Sequence, residues 1–87
     1  MADRPEMPIP SGEMTPAALA SLIKEWAESQ GFHFEKRKAA TEYGLVKVSD
    51  PSDGETWTVI PNAHKGRRLK KHQIRYTIHK LNSNWKD

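Results

Sequence analysis

The hydrophobic period of this chain changes twice, and the two changes leave few architectures open. Leu19, Leu22, Ile23, Trp26 and Ala27 recur at intervals of three and four, the spacing that lays an apolar stripe along one side of an α-helix. At Phe32 the period drops to two, with Phe32 and Phe34 alternating with His33 and Glu35, as in a strand with one buried face. Near Lys70 the longer period returns through Ile74, Ile78 and Leu81, with Trp85 four residues further on. A chain of 87 residues closes only a modest core, so the two helical stripes and one face of the sheet have to cover one another.

Local signals set the boundaries. Thr15 offers an N-cap oxygen and Pro16 a preset first helical position, while Gly31 is suited to the left-handed conformation that closes many helices. The first strand runs from Phe32 toward Lys38, the second is the LVKV of residues 45 to 48, and the turn formers of SDPSDGE lead into a return arm TWTVI, residues 56 to 60. Pro61 ends that arm, because proline removes a ladder donor. The expected fold class is α+β, in the order α-β-β-β-α, with a three-stranded antiparallel sheet and two helices on one face. A single domain is expected over residues 15 to 85. Residues 1 to 14, with prolines at 5, 8 and 10, read as a flexible N-terminal lead.

Charge is divided unevenly between the two ends. Residues 1 to 56 hold ten acids against six bases, and residues 57 to 86 hold eight Lys or Arg with no Asp or Glu. Such a field gathers polyanions, which puts nucleic acid first among partners, ahead of acidic proteins and anionic membrane. The chain has no cysteine, no apolar run long enough to cross a bilayer and no signal-peptide pattern, so a cytoplasmic location is expected and a membrane role is not.

The densest cations lie in IPNAHKGRRLKK, residues 60 to 71. In an up, down, up meander the ends of the first and third strands share one rim of the sheet, so Lys36, Arg37 and Lys38 are expected to approach Lys65, Arg67 and Arg68, with Lys70 and Lys71 opening the second helix beside them. These eight residues form the candidate nucleic-acid-binding set. The unpaired amides of a helix start favour an anion, and paired guanidiniums suit phosphate oxygens. His64 stands in the same corner. Neighbouring cations disfavour its charged form, leaving a neutral imidazole able to take a proton from a ribose hydroxyl, so His64 is the one candidate catalytic residue. No spacing of ligands makes a metal site and no motif calls for a cofactor; His72 and His79, two helical turns and about 10 Å apart, are too distant to share a metal. Trp26 and Tyr76 read as packing residues, and Trp57 as a core or face-covering aromatic, with a base-stacking platform as its second reading.

AALASLIKEWAESQGF, followed by TWTVIPNAHKGRRLKKHQIRYTIHKL, resembles the HicA family of bacterial toxins over roughly residues 17 to 82. That family has a fold similar to the double-stranded-RNA-binding domain. The resemblance implies RNA binding, mRNA cleavage, growth inhibition and neutralisation by an antitoxin partner. The chain departs from the family at its Gly-Ser-His motif, where residues 39 to 46 read AATEYGLV and contain no histidine. The leading expectation is therefore an RNA-binding protein of HicA-like fold without the family's usual cleavage chemistry. DNA is a second ligand, since phosphates alone do not separate the two. The alternatives are an active endoribonuclease using His64 and a protein-binding module directed at an antitoxin or host protein through an exposed sheet edge.

Overall fold

A computed structural model describes residues 4–38, 43–52, 54–61 and 67–86. The order of elements is α1 (Pro16–Ser29), β1 (His33–Lys38), β2 (Tyr43–Ser49), β3 (Glu55–Pro61) and α2 (Lys71–Ser83). The three strands form one antiparallel sheet in the order β1-β2-β3. This is the α+β arrangement that the change of period requires.

The first helix begins and ends on local chemistry. Thr15 Oγ1 accepts a hydrogen bond from the Ala18 amide at 3.2 Å, and Pro16 occupies the first helical position. At the other end Gly31 has φ +79°, the Phe32 amide donates to Ala27 O at 2.8 Å and the Gly31 amide donates to Glu28 O at 3.0 Å. This pair of bonds is the Schellman closure, and the left-handed residue it needs is the glycine. Trp26 then meets Phe32 edge-on at 5.8 Å, and Phe32 meets Trp85 at 5.3 Å between ring centroids. The stripe expected to carry α2 as far as Trp85 stops sooner, because α2 ends at Ser83. Beyond it the chain turns along the sheet, where Glu55 and Lys86 exchange backbone hydrogen bonds of 2.9 and 2.8 Å.

Register decides which side of each strand is buried. Lys36, Val46 and Thr58 stand in one row, and Phe34, Val48 and Thr56 in another. Val46, Val48, Thr56, Thr58 and Ile60 are buried under the helices with Leu19, Ile23, Ile74, Ile78 and Leu81. Hence the apolar Trp57 and Val59 lie on the outward parity of β3, and the threonines face in. Three hydroxyls make this workable. Thr56 Oγ1 donates to Leu81 O at 2.6 Å, Thr58 Oγ1 to Thr77 O at 2.7 Å and Thr77 Oγ1 to Val59 O at 2.9 Å. A buried hydroxyl without a partner is costly, and among the described residues no buried side-chain polar atom lacks one.

The lead is not free of the domain. Met7 is only 5% exposed and belongs to the core. Its amide donates to Asn82 Oδ1 at 2.9 Å, and Asn82 Nδ2 donates to Met7 O at 3.0 Å. The Arg4 guanidinium lies 4.5 Å from the centre of the Trp85 ring. Residues 4 to 14, expected as a flexible lead, are thus laid along α2. The prolines exclude a ladder and a helix, as expected, but they do not exclude an extended segment held by one apolar side chain and one side-chain amide.

Candidate nucleic-acid interface

The start of α2 is anchored from below. Leu69 is buried, and its amide donates to Met14 O at 2.7 Å, which makes an antiparallel bridge between residues 14 and 69. With Leu69 pinned, Arg67 and Arg68 before it and Lys70 and Lys71 after it remain exposed. The same bridge sets the entry of α1 beside the entry of α2, since Thr15 caps the one and Lys70 precedes the other. Pro61, His72 and Gln73 line one groove, so the end of β3 adjoins the start of α2. Lys38, Gly44 and Ile60 form a row across the sheet at that end. Both helix N-termini and the C-terminal ends of β1 and β3 therefore open at one end of the molecule.

The electrostatics of that end favour an anion. Neither helix has an acidic residue in its first turn. Gln73 Oε1 accepts from the Lys70 amide at 2.8 Å, but Lys70 carries only donors and cannot return the bond to the helix start. The Lys71 and His72 amides lie ahead of the first intrahelical acceptor. Among the described residues the ion pairs are Arg37 with Glu35 at 3.3 Å and Lys47 with Glu55 at 3.1 Å, so Arg67, Arg68, Lys70 and Lys71 have no carboxylate of their own. Cations at a helix start are mildly unfavourable until an anion arrives.

The β1 triplet does not act as a block. Alternation sends Lys36 to the helix side of the sheet, in the row of Val46, where its Cε is 3.9 Å from the place a Cβ on Gly44 would take. Arg37 goes to the opposite side, in the row of Leu45 and Val59, and pairs there with Glu35. Arg37 thus leaves the set expected at the corner, because successive strand residues point to opposite faces. Lys38 stands across from Gly44 on the rim itself. His64 and Lys65 lie outside the described residues.

His72 and His79 are exposed on α2, and His33 begins β1 at the far end from Lys38. Among the described residues no three of His, Cys, Asp and Glu gather as metal ligands, and no helix is long and apolar enough to cross a membrane. No family model, curated protein or solved structure matches this chain.

Tyr76, expected in the packing, is on the surface instead, and Trp57 lies on the outward face of the sheet rather than in the core. Trp57 is 38% exposed and Tyr76 57% exposed, and the Lys80 ammonium lies 4.6 Å from the centre of the first ring and 5.9 Å from the second. The signal was present in the sequence. His72, Tyr76 and Lys80 are spaced by four, on the side of α2 away from the stripe of Ile74, Ile78 and Leu81.

Proposed function

We propose that this chain binds nucleic acid through its basic end, with RNA as the expected ligand and phosphate as the group held. Arg67, Arg68, Lys70 and Lys71 are the principal contacts, supported from the sheet rim by Lys36 and Lys38. The observation that carries the reading is the opening of both helix N-termini beside four exposed cations that have no carboxylate partner among the described residues. Partial positive charge from aligned amides and full charge from the side chains act on the same volume, which is the requirement for holding a phosphate chain. The resemblance to the HicA family, and the absence of its histidine motif from residues 39 to 46, support binding without the usual cleavage and growth inhibition by occupying RNA.

Docking of a protein strand has less support. The outward edge of β3 is already taken: Glu55 pairs with Lys86, Trp57 O accepts from Asn84 Nδ2 at 3.0 Å, and Val59 O accepts from Thr77. The other edge, β1, ends in Lys36, Arg37 and Lys38, a run of cations of the kind that discourages strand pairing.

The test is an anisotropy titration of labelled single-stranded RNA, duplex RNA and duplex DNA at two salt concentrations, followed by electrophoresis of the RNA after incubation. Binding that weakens steeply with salt, with intact RNA, is expected. Cleavage lost in His64→Ala would favour the endoribonuclease alternative, and no binding to any of the three ligands would overturn the proposal.

A further inference from the structure

The most exposed large apolar side chains among the described residues are Ile9, Trp57 and Tyr76, and two of these three line the same groove. That groove follows the seam between β3 and α2, has a volume of about 680 Å³ and is walled by Trp57, Val59, Pro61, His72, Tyr76 and Lys80. Its His72 and Pro61 end reaches the start of α2, where Lys71 is exposed. Two partly exposed π-faces with an ammonium between them are an unusual thing to leave in water, since indole and phenol rings carry a large apolar area that packing normally covers. The charge of the groove restricts the occupant: Lys80 stands in its wall and none of its lining residues is a carboxylate, while Glu35 and Glu55, which share the neighbouring pocket with Trp57, are paired with Arg37 and Lys47. What fits is an anion with a flat aromatic part.

We propose that the seam is a stacking site for an unpaired nucleobase. The base lies against Tyr76 and Trp57, and the Lys80 ammonium turns from the rings to the neighbouring phosphate. Stacking on aromatic side chains beside a basic track is how single strands are held with little regard to sequence. In a duplex the faces of the bases are already stacked on one another, so this site selects single-stranded RNA or DNA for the adjoining basic end. The inference rests on the phosphate-binding reading of that end, and it adds the class of strand and a second set of contacts.

Three ligands separate the outcomes: a short oligouridylate, duplex RNA of the same length and polyglutamate, each titrated by anisotropy against wild type, Tyr76→Leu, Trp57→Leu and Tyr76→Phe. Both leucine variants are expected to weaken oligouridylate binding at least about fivefold, the lower end of what loss of one stacked base costs. Their duplex affinity and their salt slope should match wild type, because no phosphate contact is removed, and Tyr76→Phe should bind as wild type does. Oligouridylate is also expected to quench tryptophan emission, and Trp57→Phe to lose that quenching while still binding, a readout that does not depend on how the leucine variants fold. Unchanged oligouridylate affinity in properly folded leucine variants would overturn the stacking site while leaving the basic end intact. So would saturation without quenching, stronger binding to duplex than to oligouridylate, or tighter Tyr76-dependent binding of polyglutamate. A wild type that binds no nucleic acid would remove the phosphate reading and this site together.

Discussion

Thr77 does more than fill space. Its hydroxyl donates to Val59 O on the outward edge of β3, and its own carbonyl accepts from Thr58 Oγ1. Valine has the same shape and lacks the donor, so Thr77→Val leaves Val59 O short of a partner. We expect a loss of about 1–2 kcal/mol of unfolding free energy, the cost of an unsatisfied partly buried acceptor, measured by urea denaturation. A second residue-scale prediction separates the two neighbours on β1. Lys36 stands on the helix side and Arg37 pairs with Glu35 on the other, so Lys36→Ala should weaken RNA binding by more than Arg37→Ala in the same titration. Equal effects would mean that the open face of the sheet also meets the ligand.

At the scale of the element, the segment before α1 contributes to stability although it has no regular structure. Met7 fills a place in the core, and Asn82 holds its backbone from both sides. Met7→Ala should lower stability by about 2–4 kcal/mol, as for other buried methionines cut to alanine. The expected signature is a lower urea midpoint at unchanged slope. A midpoint within error of wild type would show the segment undocked in solution. The helices and strands themselves were legible in the sequence because their signals are local. Thr15 and Pro16 start α1 and Gly31 ends it through bonds that span no more than five residues. The docking of Met7 was not legible, since its partner Asn82 is 75 positions away, and Pro5, Pro8 and Pro10 speak only about what the segment cannot form. The end of α2 was overrun for a similar reason: Trp85 continues the apolar spacing, but its partner is Phe32, which is distant in sequence and meets it only in the folded chain.

For the whole molecule the antiparallel packing of α2 on β3 and the bridge between residues 14 and 69 turn two helix starts toward one end. If that end holds a single strand through Arg67, Arg68, Lys70 and Lys71, the logarithm of affinity should fall with the logarithm of salt at a slope of about −3, from roughly 0.7 per phosphate contact. Replacing Arg67 and Arg68 together by alanine should reduce the slope by about 1.4. A slope that does not change in the double variant would place the contacts elsewhere. Strand addition at β3 is opposed at this scale as well, because the return of the chain after α2 covers that edge.

The order and type of the elements follow from the sequence alone, because a period of three to four or of two depends only on the geometry of the nearest turns of backbone. The concentration of cations after Thr56 is equally a property of the sequence, as is the suitability of Gly31 for a left-handed turn. Alternation alone separates Lys36 from Arg37, but which side each strand buries was decided only when the strands came into register under the helices: that placed Lys36 on the helix side, turned Thr56 and Thr58 inward and left Trp57 outward. The threonines could take the buried side because the carbonyls of Thr77 and Leu81, supplied by another element, accept their hydroxyl protons. Burial of a polar group depends on a partner that arrives through space, and nothing along the chain near Thr56 announces it.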